Sequence, residues 1–131
     1  VGLFNKSGFL KFYVSSEYAD SSFIKPYKYE NIKIINTERF EKIYENLNLN
    51  KIKLFKLEAE GAEPEILFGC ESVIHNIEYI AADVGFERGI EQKSTLPKVN
   101  NFLMKNDFEL IDNGRKRIVC LYKNKNFSTK S

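Results

Sequence analysis

The run Ile52-Lys53-Leu54-Phe55-Lys56-Leu57-Glu58-Ala59-Glu60-Gly61-Ala62-Glu63-Pro64 decides the fold. Its first six residues, Ile52–Leu57, are predicted to form a strand, because aliphatic and aromatic residues dominate them. Pro64 fits the first position of a helix, where its missing N–H costs no hydrogen bond. A strand that passes through a short acidic loop into a helix is typical of an α/β fold.

The segments on either side of this run support the same fold class. Upstream, the pattern predicts strands over residues 9–14 and 32–35 and a helix over residues 37–47. The helix that begins at Pro64 carries one apolar stripe, which consists of Ile66, Leu67, Cys70, Val73 and Ile74. Further downstream we expect a strand over 77–84 that is covered on both faces, a helix over 96–105 capped by Ser94 or Thr95, and a hairpin of 108–111 with 118–122.

The composition excludes several classes of protein. The chain has 131 residues, of which 43% are hydrophobic and 14% aromatic, so it is one folded domain and not a disordered segment. Its apolar runs reach about five residues, against about 18 for a membrane span. A net charge of +2 gives no long-range attraction to nucleic acid or to an anionic membrane. The patch Tyr27-Lys28-Tyr29 is too short to change that interpretation.

Other features concern the compartment and the extent of the chain. Cys70 and Cys120 cannot form a disulfide framework and are predicted to be core thiols, and no signal peptide is recognised, so we expect a cytoplasmic location. Because the chain starts at Val1 and its single methionine is Met104, we expect a fragment or a processed chain. Residues 1–123 are predicted to form the domain, and residues 124–131 a disordered tail.

Acidic residues follow two predicted strands at the point where each ends. Glu58 and Glu60 come after the first, and Asp83 closes the second. The carboxyl ends of neighbouring strands meet at the ligand-binding edge of an open α/β sheet. Carboxylates at this edge can accept hydrogen bonds from hydroxyls, act as a general base, or hold a hard divalent cation. A favourable interaction with the helix dipole is an equal explanation for Glu65 and a somewhat weaker one for Glu63. Glu87 and Arg88 are interpreted as a solvated pair.

The run over residues 56–70 resembles the K-I-D-V-E-G-A-E-x-x-V-L-x-G-A signature of the FkbM family of S-adenosylmethionine-dependent methyltransferases. The matching residues are Lys56, Glu60, Gly61, Ala62, Glu63, Leu67 and Gly69. There are two departures. Glu58 stands where the family has aspartate, and Asp83 stands where it has glutamate.

The resemblance implies a fold, a reaction and a set of site residues. The fold is a partial Rossmann-like class I methyltransferase sheet with helices on both faces and a C-terminal antiparallel hairpin, without the N-terminal strands that carry the cofactor loop. The reaction is methyl transfer to a hydroxyl oxygen of a sugar, polyketide or similar small molecule, with S-adenosylmethionine as cofactor in the complete protein. Glu58, Glu60 and Asp83 are the expected catalytic residues, and Glu63 is expected to contact the acceptor. The isolated chain is expected to be inactive and to have no measurable affinity for S-adenosylmethionine.

Two other functions remain open on the sequence. One is a metal-dependent hydrolase in which Glu58, Glu60, Glu63 and Asp83 hold a divalent cation. The other is a non-catalytic remnant or interaction module.

A final expectation concerns partners. Neither nucleic acid nor a membrane is expected as a partner. If the first two strands of the fold are missing, Ile52–Leu57 has an uncovered edge, and the chain either self-associates there or packs residues 9–14 against it.

Overall fold

The computed structural model describes residues 1–15 and 21–128, which contain both strands and helices. Within these ranges the strands are β1 (Gly2–Leu3), β2 (Gly8–Val14), β3 (Asn31–Glu38), β4 (Ile52–Leu57), β5 (Ile77–Asp83), β6 (Phe86–Arg88), β7 (Lys93–Ser94), β8 (Phe108–Asn113) and β9 (Val119–Asn124). The α-helices are α1 (Phe40–Asn46), α2 (Glu63–Phe68) and α3 (Leu96–Lys105), and a 3₁₀ helix spans Ile74–Asn76. Within these ranges no helix has the length and apolar character needed to cross a membrane.

The largest sheet has four strands in the order β4-β5-β9-β8. β4 and β5 are parallel, with Leu57 opposite Ala82, whereas β9 runs antiparallel to both β5 and β8. The mixed α/β class and the C-terminal antiparallel hairpin are therefore confirmed. The parallel register also brings Glu58 and Asp83, which follow this pair in sequence, to the same end of the sheet, where both strands have their carboxyl ends.

A second sheet has the order β1-β3-β2, and β6 and β7 form a two-stranded ribbon. The strands β1, β6 and β7 were not predicted.

One face of the four-stranded sheet carries the hydrophobic core. All three α-helices contribute buried residues to this single cluster, namely Phe40, Ile66, Leu67, Val99 and Leu103. In β5, Ile80 and Ala82 are buried in it, whereas Tyr79 and Ala81 on the other face are only half-buried. The expectation that β5 is covered on both faces is thus wrong for the described residues. Leu54 on β4 is 53% exposed.

The start of α1 differs from the prediction because strand pairing takes its first residues. Thr37 and Glu38 belong to β3, where they lie opposite Gly2 and Leu3 of the parallel strand β1. The buried Thr37 hydroxyl donates to the carbonyl oxygen of Lys6 at 3.0 Å. A tertiary contact therefore overrides the helical spacing that was read over residues 37–47.

The helix α2 is shorter than its apolar stripe predicts. It ends at Phe68, because the carbonyl oxygen of Gly69 accepts a hydrogen bond from the Glu41 amide at 2.9 Å. A side chain at position 69 would also place its Cβ 2.5 Å from the carbonyl oxygen of Phe4. The stripe residues beyond Gly69 are nevertheless buried, since tight turns and the 3₁₀ helix carry them into the core.

Both cysteines are core thiols, as predicted. Cys70 and Cys120 are buried and unpaired with each other, and burial raises the pKa of the Cys70 thiol to about 12. At the C-terminus, Asn124 is the last residue of β9, and its side-chain amide donates to the carbonyl oxygen of Ile77 at 3.0 Å. Of the predicted tail, residues 129–131 lie outside the described part of the chain.

Among the described residues, β4 is an edge strand of its sheet. The alternative in which residues 9–14 cover this edge is wrong, because β2 pairs with β3 over its whole length. Lys51, Lys53 and Lys56 lie along this edge region, and lysines on an edge oppose the pairing of two identical strands. We therefore propose that a second copy pairs with β4 only when these charges are screened.

This proposal predicts self-association that rises with ionic strength. Sedimentation equilibrium of the 131-residue chain should give a monomer at low salt and a larger average mass at high salt, where the Debye length falls to about 3 Å. Leu54→Lys should remain monomeric at both. The control Ile34→Lys, at an exposed position on the other sheet, should behave as the parent does. A parent chain that stays monomeric at every ionic strength would contradict the proposal.

Candidate functional site

The loop that joins β4 to α2 has an uncommon backbone conformation. Glu60 has a φ of 49° and Gly61 a φ of 101°. Glutamate rarely adopts a positive φ, and such a conformation costs about 1–3 kcal/mol unless the surroundings hold it. The residues that hold it are therefore part of the site.

Glu63 stabilises this loop by accepting hydrogen bonds from its backbone. Its Oε2 atom accepts hydrogen bonds from the backbone amides of Ala59 and Gly61, at 2.9 and 3.0 Å. Its Oε1 atom accepts a third, at 2.8 Å, from the hydroxyl of Thr95 at the start of α3. Glu63 is only 2% exposed, and burial raises the pKa of its carboxyl despite these three hydrogen bonds. The structure therefore places Glu63, the expected acceptor contact, inside the protein.

Arg88 holds the same loop from the side. Its Nη1 atom donates to the carbonyl oxygen of Gly61 at 2.7 Å and to Glu65 Oε2 at 2.8 Å, and its Nη2 atom lies 2.5 Å from Glu65 Oε1. The reading of Arg88 as one half of a solvated pair with Glu87 is therefore wrong. The Arg88 pair also gives Glu65 a role beyond its interaction with the helix dipole.

Two cavities open at this loop, and Glu58 and Glu60 line both of them. The larger has a volume of about 540 Å³. Its remaining lining residues are Ser15, Pro26, Tyr27, Lys28, Phe86, Glu87, Gly89, Gln92 and Arg117. The smaller, of about 390 Å³, is otherwise lined by Leu3, Phe12, Ser21, Ser22, Phe23, Ala59 and Ile66. The two predicted acids are thus accessible from both cavities.

The two acids differ from Asp83 in what surrounds them. Glu58 Oε2 lies 3.2 Å from the Nζ atom of Lys56, and the Glu58 side chain is 42% exposed. Asp83 lies at the same sheet edge but lines neither cavity. Its Oδ2 atom pairs with Arg117, and its Oδ1 atom accepts a hydrogen bond from the Gly85 amide at 3.2 Å. Glu58 and Glu60 thus line the same cavities, whereas the Asp83 carboxylate is paired with the guanidinium of Arg117.

The acids do not converge on one point. Among residues 1–15 and 21–128, no three His, Cys, Asp or Glu side chains form a group that could hold a metal ion. The four acids considered as metal ligands have separate environments, because Glu63 binds the loop amides and Asp83 binds Arg117.

Several residues that line the larger cavity were not predicted from the sequence as site residues. Tyr27 and Lys28 had been considered as a weak patch for nucleic acid, and they line this cavity instead. Phe86, which is 66% exposed, and Arg117 carry no local signal, since they reach the site only through the folded positions of β6 and of the turn before β9.

No family model, curated protein sequence or solved structure matches the chain. The resemblance over residues 56–70 therefore remains an argument from the residues themselves.

The contacts of Glu63 predict an unusual dependence of stability on pH. Because burial raises the pKa of its carboxyl above 4.5, Glu63 favours folding most below its unfolded pKa, and this contribution is lost as the pH rises through the folded pKa. The unfolding free energy of the parent relative to Glu63→Gln should therefore fall as the pH rises through this window. Urea denaturation at a series of pH values measures it.

Two further variants control this experiment. Glu58→Gln removes an exposed carboxylate and should change the unfolding free energy by less than about 0.5 kcal/mol. Glu63→Ala leaves three donors without their acceptor and should cost about 3 kcal/mol. A difference between the parent and Glu63→Gln that stays constant or grows with pH would show that Glu63 is not buried in this way.

Proposed function

We propose that the loop at Glu58 and Glu60 is the acceptor side of an S-adenosylmethionine-dependent methyltransferase of the FkbM type. The observation that carries the proposal is the position of these two carboxylates just after the carboxyl end of a parallel strand, where they line two cavities. The parallel pair β4–β5 with its helical connection is compatible with the Rossmann-like sheet of this class, in which ligands bind at this edge.

The proposed substrate is a hydroxyl-bearing small molecule such as a sugar or a polyketide. A cavity of about 540 Å³ is within the size range of sites for small molecules. Tyr27 and Phe86 offer exposed rings to an apolar face, whereas Glu58, Glu60 and Gln92 offer oxygen atoms to hydroxyl groups. This mixture suits a ligand that is polar at its edges and apolar on its faces.

The chemical role proposed for the carboxylates is orientation of the acceptor and removal of its proton. A carboxylate that accepts a hydrogen bond from the hydroxyl fixes the direction of an oxygen lone pair and can take the proton as the oxygen reacts. Glu60 is suited to this role, because the contacts of Glu63 and Arg88 already hold the backbone of its neighbours Ala59 and Gly61. Little reorganisation is then needed when the acceptor binds.

The missing side chain of Gly61 does not open a space for a cofactor. Gly61 follows a parallel strand, but the space of its missing Cβ is occupied by the protein, since that atom would lie 2.6 Å from the Arg88 Cα atom. In the described ranges every buried polar side-chain atom already has a hydrogen-bond partner. We therefore assign only the acceptor side of the site to these residues.

The two other functions have less support. A metal-dependent hydrolase would need Glu63 and Asp83 to turn toward a shared cation, but their carboxylates are bound to backbone amides and to Arg117. No contact among the described residues argues specifically for a purely non-catalytic module.

Glu60→Gln tests the proposal. In the longest natural reading frame that contains this sequence, transfer of a labelled methyl group to a panel of hydroxylated acceptors should fall by about 10²-fold, because the amide cannot take the proton. Thermal unfolding should be nearly unchanged, since Glu60 lies at the cavity rim.

Glu109→Gln is the matched control. Glu109 is an exposed glutamate on β8 that lines neither cavity, so this variant should retain full methyl transfer. Parental turnover in Glu60→Gln would remove Glu60 from the mechanism, and a reading frame without methyl transfer to any acceptor would contradict the proposed function.

A further inference from the structure

Two of the walls of the larger cavity come from separate parts of the chain. Glu58 and Glu60 belong to the loop after β4, whereas Phe86 and Glu87 belong to β6. In the described residues β6 pairs only with β7, so no ladder of backbone hydrogen bonds joins the two walls. Contacts other than a strand ladder therefore set the separation of these two walls.

Arg88 makes the contacts that cross from one wall to the other. It lies on β6 directly after Glu87, and its guanidinium reaches the carbonyl oxygen of Gly61, the residue after Glu60. The same guanidinium forms a two-pronged pair with Glu65 at the start of α2. The side chains of Arg88 and Glu65 are 25% and 12% exposed, so this pair is shielded from solvent more than a surface ion pair is.

The backbones of the two walls also touch at this point. A Cβ atom at position 61 would lie 2.6 Å from the Arg88 Cα atom and 2.9 Å from its Cβ atom. Only glycine permits this approach, and its φ of 101° independently favours glycine. The close contact gives the guanidinium a fixed base from which to reach Glu65.

We infer that Arg88 is a positioning residue that holds β6 against the loop after β4, a contact called the clasp below. The clasp thereby fixes the width of the larger cavity, which is the proposed acceptor site. The link to the acceptor rests on the proposed function, whereas the clasp rests on the contacts alone. The planar fork of arginine is required, because it serves a carbonyl oxygen and both oxygens of a carboxylate at once. Lysine in its place would keep the charge and lose this geometry.

Arg88→Lys tests both parts of the inference. Hydrogen exchange of the Gly61 amide should become about tenfold faster or more, while the Val99 amide in α3 exchanges as before, because only the loop is released. In the methyl-transfer assay with the longest natural reading frame, the KM for the acceptor should rise about tenfold and the KM for S-adenosylmethionine should not change. A purely structural defect would lower the amount of active enzyme and leave the acceptor KM alone.

Arg115→Lys is the matched control, since Arg115 is an exposed arginine between β8 and β9 that lines neither cavity. If Arg88→Lys does not fold, Glu65→Gln takes its place, because it removes one prong of the pair and should raise the same two quantities. Unchanged exchange at Gly61 would overturn the clasp. Faster exchange with an unchanged acceptor KM would overturn its role in positioning. Faster exchange in a protein that transfers no methyl group at all would support the clasp and contradict the proposed function.

Discussion

The buried carboxylate of Glu63 is the interaction on which the site depends. It accepts hydrogen bonds from two backbone amides of the loop after β4 and from one hydroxyl at the start of α3. It therefore connects this loop to the helix α3. The positive φ of Glu60 persists because these contacts fix its neighbours on both sides. Without this carboxylate the amides of Ala59 and Gly61 would lose their hydrogen-bond acceptor. Glu58 and Glu60 would then have no defined position.

The division of work among the acids follows from burial. Glu63 lies inside and serves the backbone, Glu65 is held by Arg88, and Asp83 is held by Arg117. Glu58 and Glu60 remain at the rim of both cavities, where a ligand can reach them. The acids of this run therefore have two roles. Glu63 and Glu65 stabilise the loop, whereas Glu58 and Glu60 line the cavities.

Much of this could be predicted from local patterns, and the remainder depends on distant contacts. The bounds of β4 and α3 were predicted because apolar spacing and flanking prolines or turns are local signals. The early end of α2 depends on the Glu41 amide, which is distant in sequence, and the strands β1, β6 and β7 are too short to show periodicity. Glu58 and Glu60 were predicted from their place after a strand. The partner of Arg88 lies 23 residues away, and no spacing rule connects them.

Titration of the Glu63 carboxyl by carbon-13 NMR tests the central claim most directly. The account predicts that this carboxyl titrates above its ordinary value of 4.5, because burial opposes its charge more than the three hydrogen bonds favour it. The amides of Ala59 and Gly61 should shift with the same midpoint, since both donate to Oε2. A Glu63 carboxyl that titrates at or below 4.5, with no matching response from these two amides, would contradict the account.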